Sequence, residues 1–270
     1  MTRIAVGLEY DGRAYAGWQT QATAPSIQAC VEAALTSVAA EPVSLICAGR
    51  TDAGVHATGQ VAHFDTQAAR SARGWLLGAN TLLPADVSLT WVQAMPGHFH
   101  ARYSAEARTY TYVICNRTAR PALGAGRVTH VHYALAHEEM AAAGRLLEGE
   151  HDFSAFRAVE CQARSPVRIL ESLAVQRRGD LVLIRVTANA FLHHMVRNIA
   201  GLLIEIGRGR APVGWAAEVL AGRDRTRGAP TAPADGLYLT QVRYPAPFGV
   251  PRGEASSASA MMPPELTRPA

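Results

Sequence analysis

The alternation of apolar and polar positions predicts a half-buried strand over residues 3–10, near the start of the chain. A long loop over 11–25 leads to Ser26, a suitable N-cap, and the apolar residues after it recur with helical spacing until Pro42 ends the helix. The rest of this half is predicted to hold three strands, at 43–48, 60–66 and 87–95, and one helix at about 70–82.

The second half of the chain repeats this order. Strands are predicted at 107–116, 168–177, 181–188 and 237–244, and helices at about 137–148, at 191–207 and after Pro212. Each half therefore reads roughly as strand–helix–strand–strand–helix–strand, which favours two split-βαβ units fused into one mixed sheet. The predicted domains are an N-terminal half, 1–105, a C-terminal half, 106–245, and a tail, 246–270, whose Pro, Ser, Ala and Gly content is typical of disorder.

The composition narrows the class of protein. The chain has 270 residues, of which 49% are hydrophobic and 18% charged, so it can bury a sizeable core. No apolar run reaches the roughly 18 residues that a membrane-spanning helix needs. The N-terminal segment also lacks the pattern of a secretory signal. We therefore expect a cytoplasmic protein without a membrane partner.

Every one of the 26 basic residues is an arginine. The absence of lysine excludes a Walker A loop, Schiff-base chemistry and pyridoxal-phosphate chemistry. The formal net charge of +4 fits a nucleic-acid partner, because arginine grips phosphate with a planar fork of donors. The four cysteines form no Cys-x-x-Cys pair, so neither a zinc site nor a redox motif is indicated.

The segment GRTDAGVHA, 49–57, is the first candidate for chemistry. It follows a predicted strand, so Asp52 stands at a strand end, where reacting groups are common. Arg50 and Asp52 flank Thr51, and two glycines let the backbone approach a ligand closely. The competing interpretation is a simple turn in which Asp52 bonds its own backbone.

Two further segments carry candidate residues. Tyr110 and Tyr112 share one face of a predicted strand, where they either stack nucleic-acid bases or form a buried aromatic pair. Arg197 is a charge inside an otherwise apolar helix, and it either faces water or, if buried, requires a carboxylate or phosphate partner. His193 and His194 are adjacent, whereas zinc motifs use i, i+4 spacing with a glutamate, so we predict no metal site.

Basic residues concentrate in three stretches of the sequence. Each alone is usually a solvated face, but together they could form a surface that contacts phosphates. The stretches contain His98, His100, Arg102 and Arg108; Arg157, Arg164 and Arg168; and Arg208, Arg210, Arg223, Arg225 and Arg227.

Taken together, these segments resemble the tRNA pseudouridine synthase A family, whose members isomerise uridine in the anticodon arm of tRNA. The resemblance spans about 1–245, and GRTDAGVHA is highly specific to this family. The other matching motifs are Tyr10-Asp11-Gly12 through Tyr15, Gly17, Trp18 and Gln19, then GQVAHFDT, NTLLPADV, FHARYSAEARTYTY, DFSAFRA, NAFLHHMVRNIAG and ADGLYL.

The resemblance implies an α+β pseudouridine synthase fold, in which two similar split-βαβ halves share a central mixed, mostly antiparallel sheet flanked by helices. It implies a homodimer that modifies tRNA positions 38, 39 and 40 without a cofactor or metal. By the same resemblance, Asp52 is the catalytic nucleophile and Arg197 is its partner. Tyr110 stacks on the target uracil and is a candidate for proton transfer, while Arg50, Thr51 and His56 bind the substrate.

Two other function classes stay open on the sequence alone. A non-catalytic tRNA-binding or chaperone protein of the same fold would bind tRNA and leave it unchanged. A metal-dependent hydrolase using the histidines would cleave RNA in a chelator-sensitive way.

Overall fold

The computed structural model describes residues 1–251. Its first six regular elements are β1 (Thr2–Tyr10), α1 (Ile27–Ala39), β2 (Ile46–Cys47), β3 (His56–Thr66), α2 (Ala72–Leu82) and β4 (Val87–Met95). The next nine are β5 (Ala107–Asn116), β6 (Thr129–Val131), α3 (His137–Arg145), β7 (Gly149–Asp152), β8 (Val167–Arg178), β9 (Leu181–Ala188), α4 (Met195–Gly207), α5 (Trp215–Gly222) and β10 (Leu237–Arg243).

The chain divides into two compact units. The first unit holds Met1–Arg108 together with the described chain from Tyr238 onward, and the second holds Thr109–Leu237. The last strand, β10, therefore returns to the first unit, although it follows the second unit in sequence.

The sheet of the first unit is mixed and mostly antiparallel. Its strand order is β4-β1-β3-β10, with β2 also paired to β3. All of these pairs are antiparallel except β10 with β3, which run parallel in the register Tyr238 to His56 and Leu239 to Ala57. The Asp52 segment is the connection between β2 and β3, so two paired strands hold both of its ends.

The second unit has the strand order β5-β9-β8-β7, with β6 paired to β5. The β7–β8 and β8–β9 pairs are antiparallel and the β5–β6 pair is parallel. All but the last residue of β5 are buried, including the polar residues Arg108, Thr109 and Thr111. The predicted α+β class and the mixed, mostly antiparallel character of the sheet are thus confirmed within each unit.

Several predicted elements have different limits in the structure. The strand predicted at 43–48 is only Ile46–Cys47, and the strand predicted at 60–66 begins earlier, at His56. Strands β6 and β7 were not predicted, because three and four residues are too few to show a period.

The helix predicted at 191–207 begins only at Met195. The reason is the backbone of His194, whose φ of 61° is left-handed and stops the helix from extending toward the N-terminus. Helix α1, by contrast, begins as predicted, since the Ser26 side chain accepts a hydrogen bond from the Ala29 N–H at 3.3 Å. It ends at Ala39, before Pro42, with Ala40 in the left-handed region.

Part of the predicted tail packs on the first unit. Residues Ala246–Phe248 form a short 3-10 turn, and Gln93 Nε2 donates to the Phe248 carbonyl oxygen at 3.2 Å. The Phe248 ring also meets Phe99 edge-on, with 5.1 Å between the ring centroids. Residues 246–248 of the predicted tail therefore contact the first unit, and residues 252–270 of that tail lie outside the described residues.

No helix in the described part of the chain has the length and apolar character needed to cross a membrane.

Candidate active site

The Asp52 loop connects β2 to β3 and is fixed by its own backbone and by its neighbours. The Asp52 carbonyl oxygen accepts a hydrogen bond from the Val55 N–H at 3.1 Å, and Gly54 adopts a left-handed φ of 77°. The Gly54 N–H donates to the Tyr15 carbonyl oxygen at 3.3 Å. The segment is thus a turn, as the competing interpretation predicted. The hydrogen bond that closes this turn is made by the backbone carbonyl group of Asp52.

The segment over 11–25 packs directly against this turn. Trp18 N–H donates to the Thr51 carbonyl oxygen at 3.0 Å. Gly17 has a φ of +99°, and a Cβ atom there would lie 2.6 Å from the same oxygen. Only glycine allows both this positive φ and this close approach. The Gly17-Trp18 pair therefore holds the backbone of the Asp52 turn in place through the Thr51 carbonyl oxygen.

Thr51 lies on the inner side of the loop, with 6% of its surface exposed. Its Oγ1 is 2.8 Å from the buried Tyr10 hydroxyl, and burial raises the pKa of that phenol. Gln60 Nε2 donates to the Gly49 carbonyl oxygen at 2.7 Å. These bonds hold the strand end that precedes Asp52.

His56 is also an internal residue of the first unit, with only 2% of its surface exposed. Its Nδ1 accepts a hydrogen bond from the Gly12 N–H at 3.1 Å and lies 3.3 Å from Asp11 Oδ1. Its ring stacks on Tyr238 of β10 at a centroid distance of 4.6 Å. Thr51 and His56 are thus buried side chains whose hydrogen bonds help to hold the loop.

Asp52 itself is half-buried and Arg50 is exposed. Thr51, which lies between them in the sequence, is buried. The loop therefore has a buried side, which carries Thr51, and a side that faces solvent, which carries Arg50 and Asp52. The partly accessible carboxylate can contact a polar substrate. The exposed arginine two residues before it can bind a phosphate of the same substrate.

Sequence reasoning missed two anchors of the same unit. Tyr15 donates from its hydroxyl to Asp86 Oδ1 at 2.7 Å, which ties the 11–25 segment to the turn before β4. Burial and the neighbouring Asp86 carboxylate raise the pKa of Tyr15. Both residues stand in motifs of the resemblance, and this was the only signal in the sequence.

Arg108 was predicted to be part of a phosphate-contacting stretch, but its guanidinium is buried and bonded to backbone carbonyl oxygens. It donates to Ala48 at 3.0 and 3.3 Å, to Arg102 at 2.6 Å and to Ala105 at 3.1 Å. Ala48 stands two residues before Arg50. Arg108 therefore joins the base of the Asp52 loop to the turn formed by residues 99–105.

Replacing Arg108 with methionine is expected to lower the free energy of unfolding by about 3 kcal/mol, because several carbonyl oxygens lose their donors at once. Urea denaturation followed by circular dichroism measures this change. The matched control is Arg73→Met, at an exposed arginine of α2, with an expected change within about 0.5 kcal/mol. Equal stability of Arg108→Met and the wild type would show that the carbonyl contacts contribute nothing.

Tyr110 lies on β5 in the second unit, with 7% of its surface exposed. The Phe191 ring meets it edge-on, with a centroid distance of 5.1 Å and an interplanar angle of 83°. Tyr112, on the same strand face, is fully buried, and its hydroxyl donates to the Pro233 carbonyl oxygen at 2.9 Å. Tyr112 is thus held by a hydrogen bond of its hydroxyl, whereas Tyr110 is buried and its ring lies against Phe191.

Arg197 lies in the first turns of α4 and is half-buried. Its Nε donates to the Ala232 carbonyl oxygen at 2.9 Å, and the Ala232 N–H donates to the Arg197 carbonyl oxygen at 3.1 Å. This reciprocal pair fixes both the backbone and the direction of the guanidinium. The sequence left open whether Arg197 faces water or is buried with an anionic partner, and it did not indicate the carbonyl partner.

The next residue, Asn198, is a buried polar residue that the sequence did not single out. Its Nδ2 donates to the Phe156 carbonyl oxygen at 2.8 Å, and its Oδ1 accepts from Thr231 Oγ1 at 2.7 Å and from Arg225 at 3.0 Å. An amide next to Arg197 in an apolar helix was the available signal. Asn198 fastens the start of α4 to two loops of its own unit.

His193 and His194 precede α4 and are not part of it. The His193 N–H donates to Cys161 Sγ at 3.4 Å, and its carbonyl oxygen accepts from the Ala158 N–H at 3.0 Å. These contacts hold the residues before the helix in a non-helical conformation.

The comparison with known families decides between the open classes. The profile of one family, described as tRNA pseudouridine synthase, matches residues 8–104 and 143–245, which include the Asp52 loop and α4. The chain belongs to the tRNA pseudouridine synthase family. Membership confirms the resemblance drawn from the motifs, and with it the prediction of an isomerase that acts on tRNA.

Individual members of the tRNA pseudouridine synthase family are similar over most of the chain. The chain is 55% identical to tRNA pseudouridine synthase A of Legionella pneumophila (strain Corby) over 248 residues, which cover 92% of this chain and 95% of that protein. It is 53% identical to tRNA pseudouridine synthase A of Yersinia pestis over 250 residues, or 93% of this chain and 95% of that protein.

Membership of the tRNA pseudouridine synthase family supports the predicted pseudouridine synthase fold, and it favours neither a chaperone nor a metal-dependent hydrolase. The profile match includes the positions of Asp52 and Arg197 and leaves out Tyr110, which lies between the two matched segments.

Proposed function

We propose that this protein converts uridine to pseudouridine at positions 38, 39 and 40 of tRNAs, in the anticodon arm, and that Asp52 is the catalytic residue. The observation that carries the proposal is the Asp52 loop itself. Its family-specific sequence GRTDAGVHA forms a glycine-dependent turn that holds a half-buried carboxylate beside an exposed arginine.

The reaction breaks the N1–C1′ bond of uridine, turns the uracil, and joins C5 to C1′. N1 gains a proton and C5 loses one, so the atoms of the nucleoside balance without an oxidant, a reductant or a nucleotide. Such a rearrangement needs a carboxylate held beside the reacting nucleoside. The carboxylate has this role whether it attacks C1′, attacks C6 or first removes a ribose proton. The proposal therefore includes no cofactor.

The other site residues divide the remaining tasks. Tyr110 is proposed, by the family resemblance, to stack on the target uracil, and the edge-on contact with Phe191 supports a fixed orientation of its ring. Arg197 is proposed to be the cationic partner of Asp52, and its bond to Ala232 supports a fixed direction for its guanidinium.

Arg50 is proposed to contact the RNA where the target base has left the stack. A nucleotide in a stem must be extruded before its base can react, and an exposed arginine can bind the phosphates beside the gap. Thr51 and His56 are proposed to serve the substrate indirectly, by holding the loop that carries Arg50 and Asp52. By the family resemblance, we further propose a homodimer that acts in the cytoplasm.

The proposal is tested with an unmodified tRNA transcript carrying tritium at uracil C5, incubated with the purified protein and a metal chelator without cofactor. Tritium release is expected, because C5 loses its hydrogen when it bonds to C1′. Sequencing of the product is expected to place pseudouridine at positions 38–40. Binding of the tRNA without release would overturn the catalytic proposal, and modification elsewhere would overturn the positions.

A further inference from the structure

The turn over residues 99–105 presents an aromatic side chain to solvent. Tyr103 is 76% exposed, whereas the neighbouring Phe99 is fully buried. The His100 ring lies against Tyr103 with 4.3 Å between the centroids and 30° between the planes. The Arg102 guanidinium carbon is 5.5 Å from the centroid of the same tyrosine ring. An exposed tyrosine thus stands in contact with an imidazole and a cation.

The backbone of this turn is closed by hydrogen bonds that involve His100. Its Nδ1 accepts from the Arg102 and Tyr103 N–H groups at 3.2 and 3.1 Å. Its own N–H donates to Ser104 Oγ at 3.0 Å, and its carbonyl oxygen accepts from the Ser104 N–H at 2.9 Å. The tyrosine is therefore displayed on a preorganised turn, which reduces the entropy lost when a partner binds.

The same turn is connected to the Asp52 loop. Arg108 donates to the Arg102 carbonyl oxygen at 2.6 Å and to the Ala48 carbonyl oxygen at 3.0 Å. Ala48 precedes Arg50 by two residues, so one buried side chain fixes the exposed turn and the base of the candidate catalytic loop in a single arrangement. A ligand held at the candidate site would have this turn as a fixed neighbour within the first unit.

The chemistry of the patch fits a nucleotide better than an apolar protein surface. Burial, together with the charges of Arg3 and Arg102, lowers the pKa of His100, which favours its neutral form and leaves Arg102 as the main cation of the patch. An apolar partner would bury that guanidinium without an anion. A nucleotide supplies a flat base for the tyrosine and a phosphate for the arginine.

We propose that Tyr103 and Arg102 bind one unpaired nucleotide of the tRNA substrate, distinct from the uridine that reacts. The base stacks on the Tyr103 ring and the adjoining phosphate pairs with Arg102. This inference rests on the proposed function for the identity of the RNA, but it concerns binding and not the reaction.

The test measures the Kd of the wild type and its variants for the unmodified tRNA transcript by filter binding, over a series of salt concentrations. Tyr103→Ala is expected to weaken binding by about 5- to 100-fold, and Tyr103→Phe to stay within about 3-fold of the wild type, since phenylalanine still stacks. Arg102→Gln is expected to reduce the slope of log Kd against log salt concentration by about one, the loss of one phosphate contact. The matched controls are Leu82→Ala and Arg73→Gln, at exposed positions of the same unit.

Wild-type affinity in Tyr103→Ala together with an unchanged salt slope in Arg102→Gln would overturn the inference. An equal loss in Tyr103→Phe and Tyr103→Ala would overturn stacking and assign the contact to the hydroxyl. A change of mass in analytical ultracentrifugation caused by Tyr103→Ala alone would assign the patch to a second copy of the chain. Tritium release is measured separately, so an inactive wild type that still binds through Tyr103 would refute the proposed reaction and leave this contact standing.

Discussion

Replacing Asp52 with asparagine or alanine is expected to lower the rate of tritium release from C5-labelled tRNA by at least about 1000-fold. The reason is that the proposed reaction uses the carboxylate of Asp52, and no other group of the loop can take its place. The Kd for tRNA is expected to stay within about 3-fold, because a carboxylate adds no attraction for phosphates. Single-turnover release and filter binding measure the two quantities.

The fold of the Asp52 variants is the critical control. The turn is closed by a hydrogen bond from the Val55 N–H to the Asp52 carbonyl oxygen. Because this bond uses only backbone atoms, a change of the side chain at position 52 does not remove it. Thermal unfolding should therefore resemble that of the wild type and of Asp180→Asn, which changes an exposed carboxylate in the β8–β9 turn. Unfolding of both Asp52 variants would instead support the interpretation of Asp52 as a turn residue. A folded Asp52→Asn with near-normal activity would refute its catalytic role.

Replacing Arg197 with methionine is expected to reduce tritium release by about 100-fold or more, the usual effect of removing a preorganised cation or donor from a reaction site. It is also expected to cost about 1–2 kcal/mol of folding free energy, because the Ala232 carbonyl oxygen loses the Nε donor. Single-turnover rates at saturating tRNA and urea denaturation measure the two effects.

The comparison of Arg197→Lys with Arg197→Met separates charge from structure. Lysine keeps the positive charge and lacks the Nε donor, so a role as cationic partner predicts partial recovery of the rate without recovery of stability. Recovery of neither would assign Arg197 to holding the loop at Ala232. A fully active Arg197→Met would remove Arg197 from the proposed mechanism.

The long strands and the candidate catalytic loop were predictable because their signals are local. Strand β5 has the predicted limits, since its threonines, tyrosines, valine and isoleucine are all typical of strands. The start of α1 followed from Ser26 and the helical spacing after it. Asp52 could be singled out because a strand, an arginine and two glycines stand within a few residues of it.

The features that were missed depend on distant parts of the chain. Nothing in the sequence around Arg108 indicates that the guanidinium donates to a carbonyl oxygen 60 residues away. The apolar pattern of residues 191–194 is compatible with a helix, and contacts of His193 with Ala158 and Cys161 impose another conformation. Thr51 and His56 could be recognised as motif residues, but their burial depends on Tyr10 and Tyr238. These tyrosines belong to β1 and β10, which come to lie on either side of β3 only in the folded unit.

The pairing of β10 with β3 affects the order in which this protein folds during translation. The sheet of the first unit includes β10, which begins at Leu237. When residue 108 leaves the ribosome, this sheet therefore still lacks one of its strands. The whole second unit is synthesised first, which takes on the order of ten seconds at ordinary elongation rates. Throughout that interval, the backbone groups of β3 that pair with β10 at His56 and Ala57 lack their partner strand. The nascent chain thus carries an open sheet edge at the start of the strand that follows the Asp52 loop, a place where chaperones or a premature strand pairing can act.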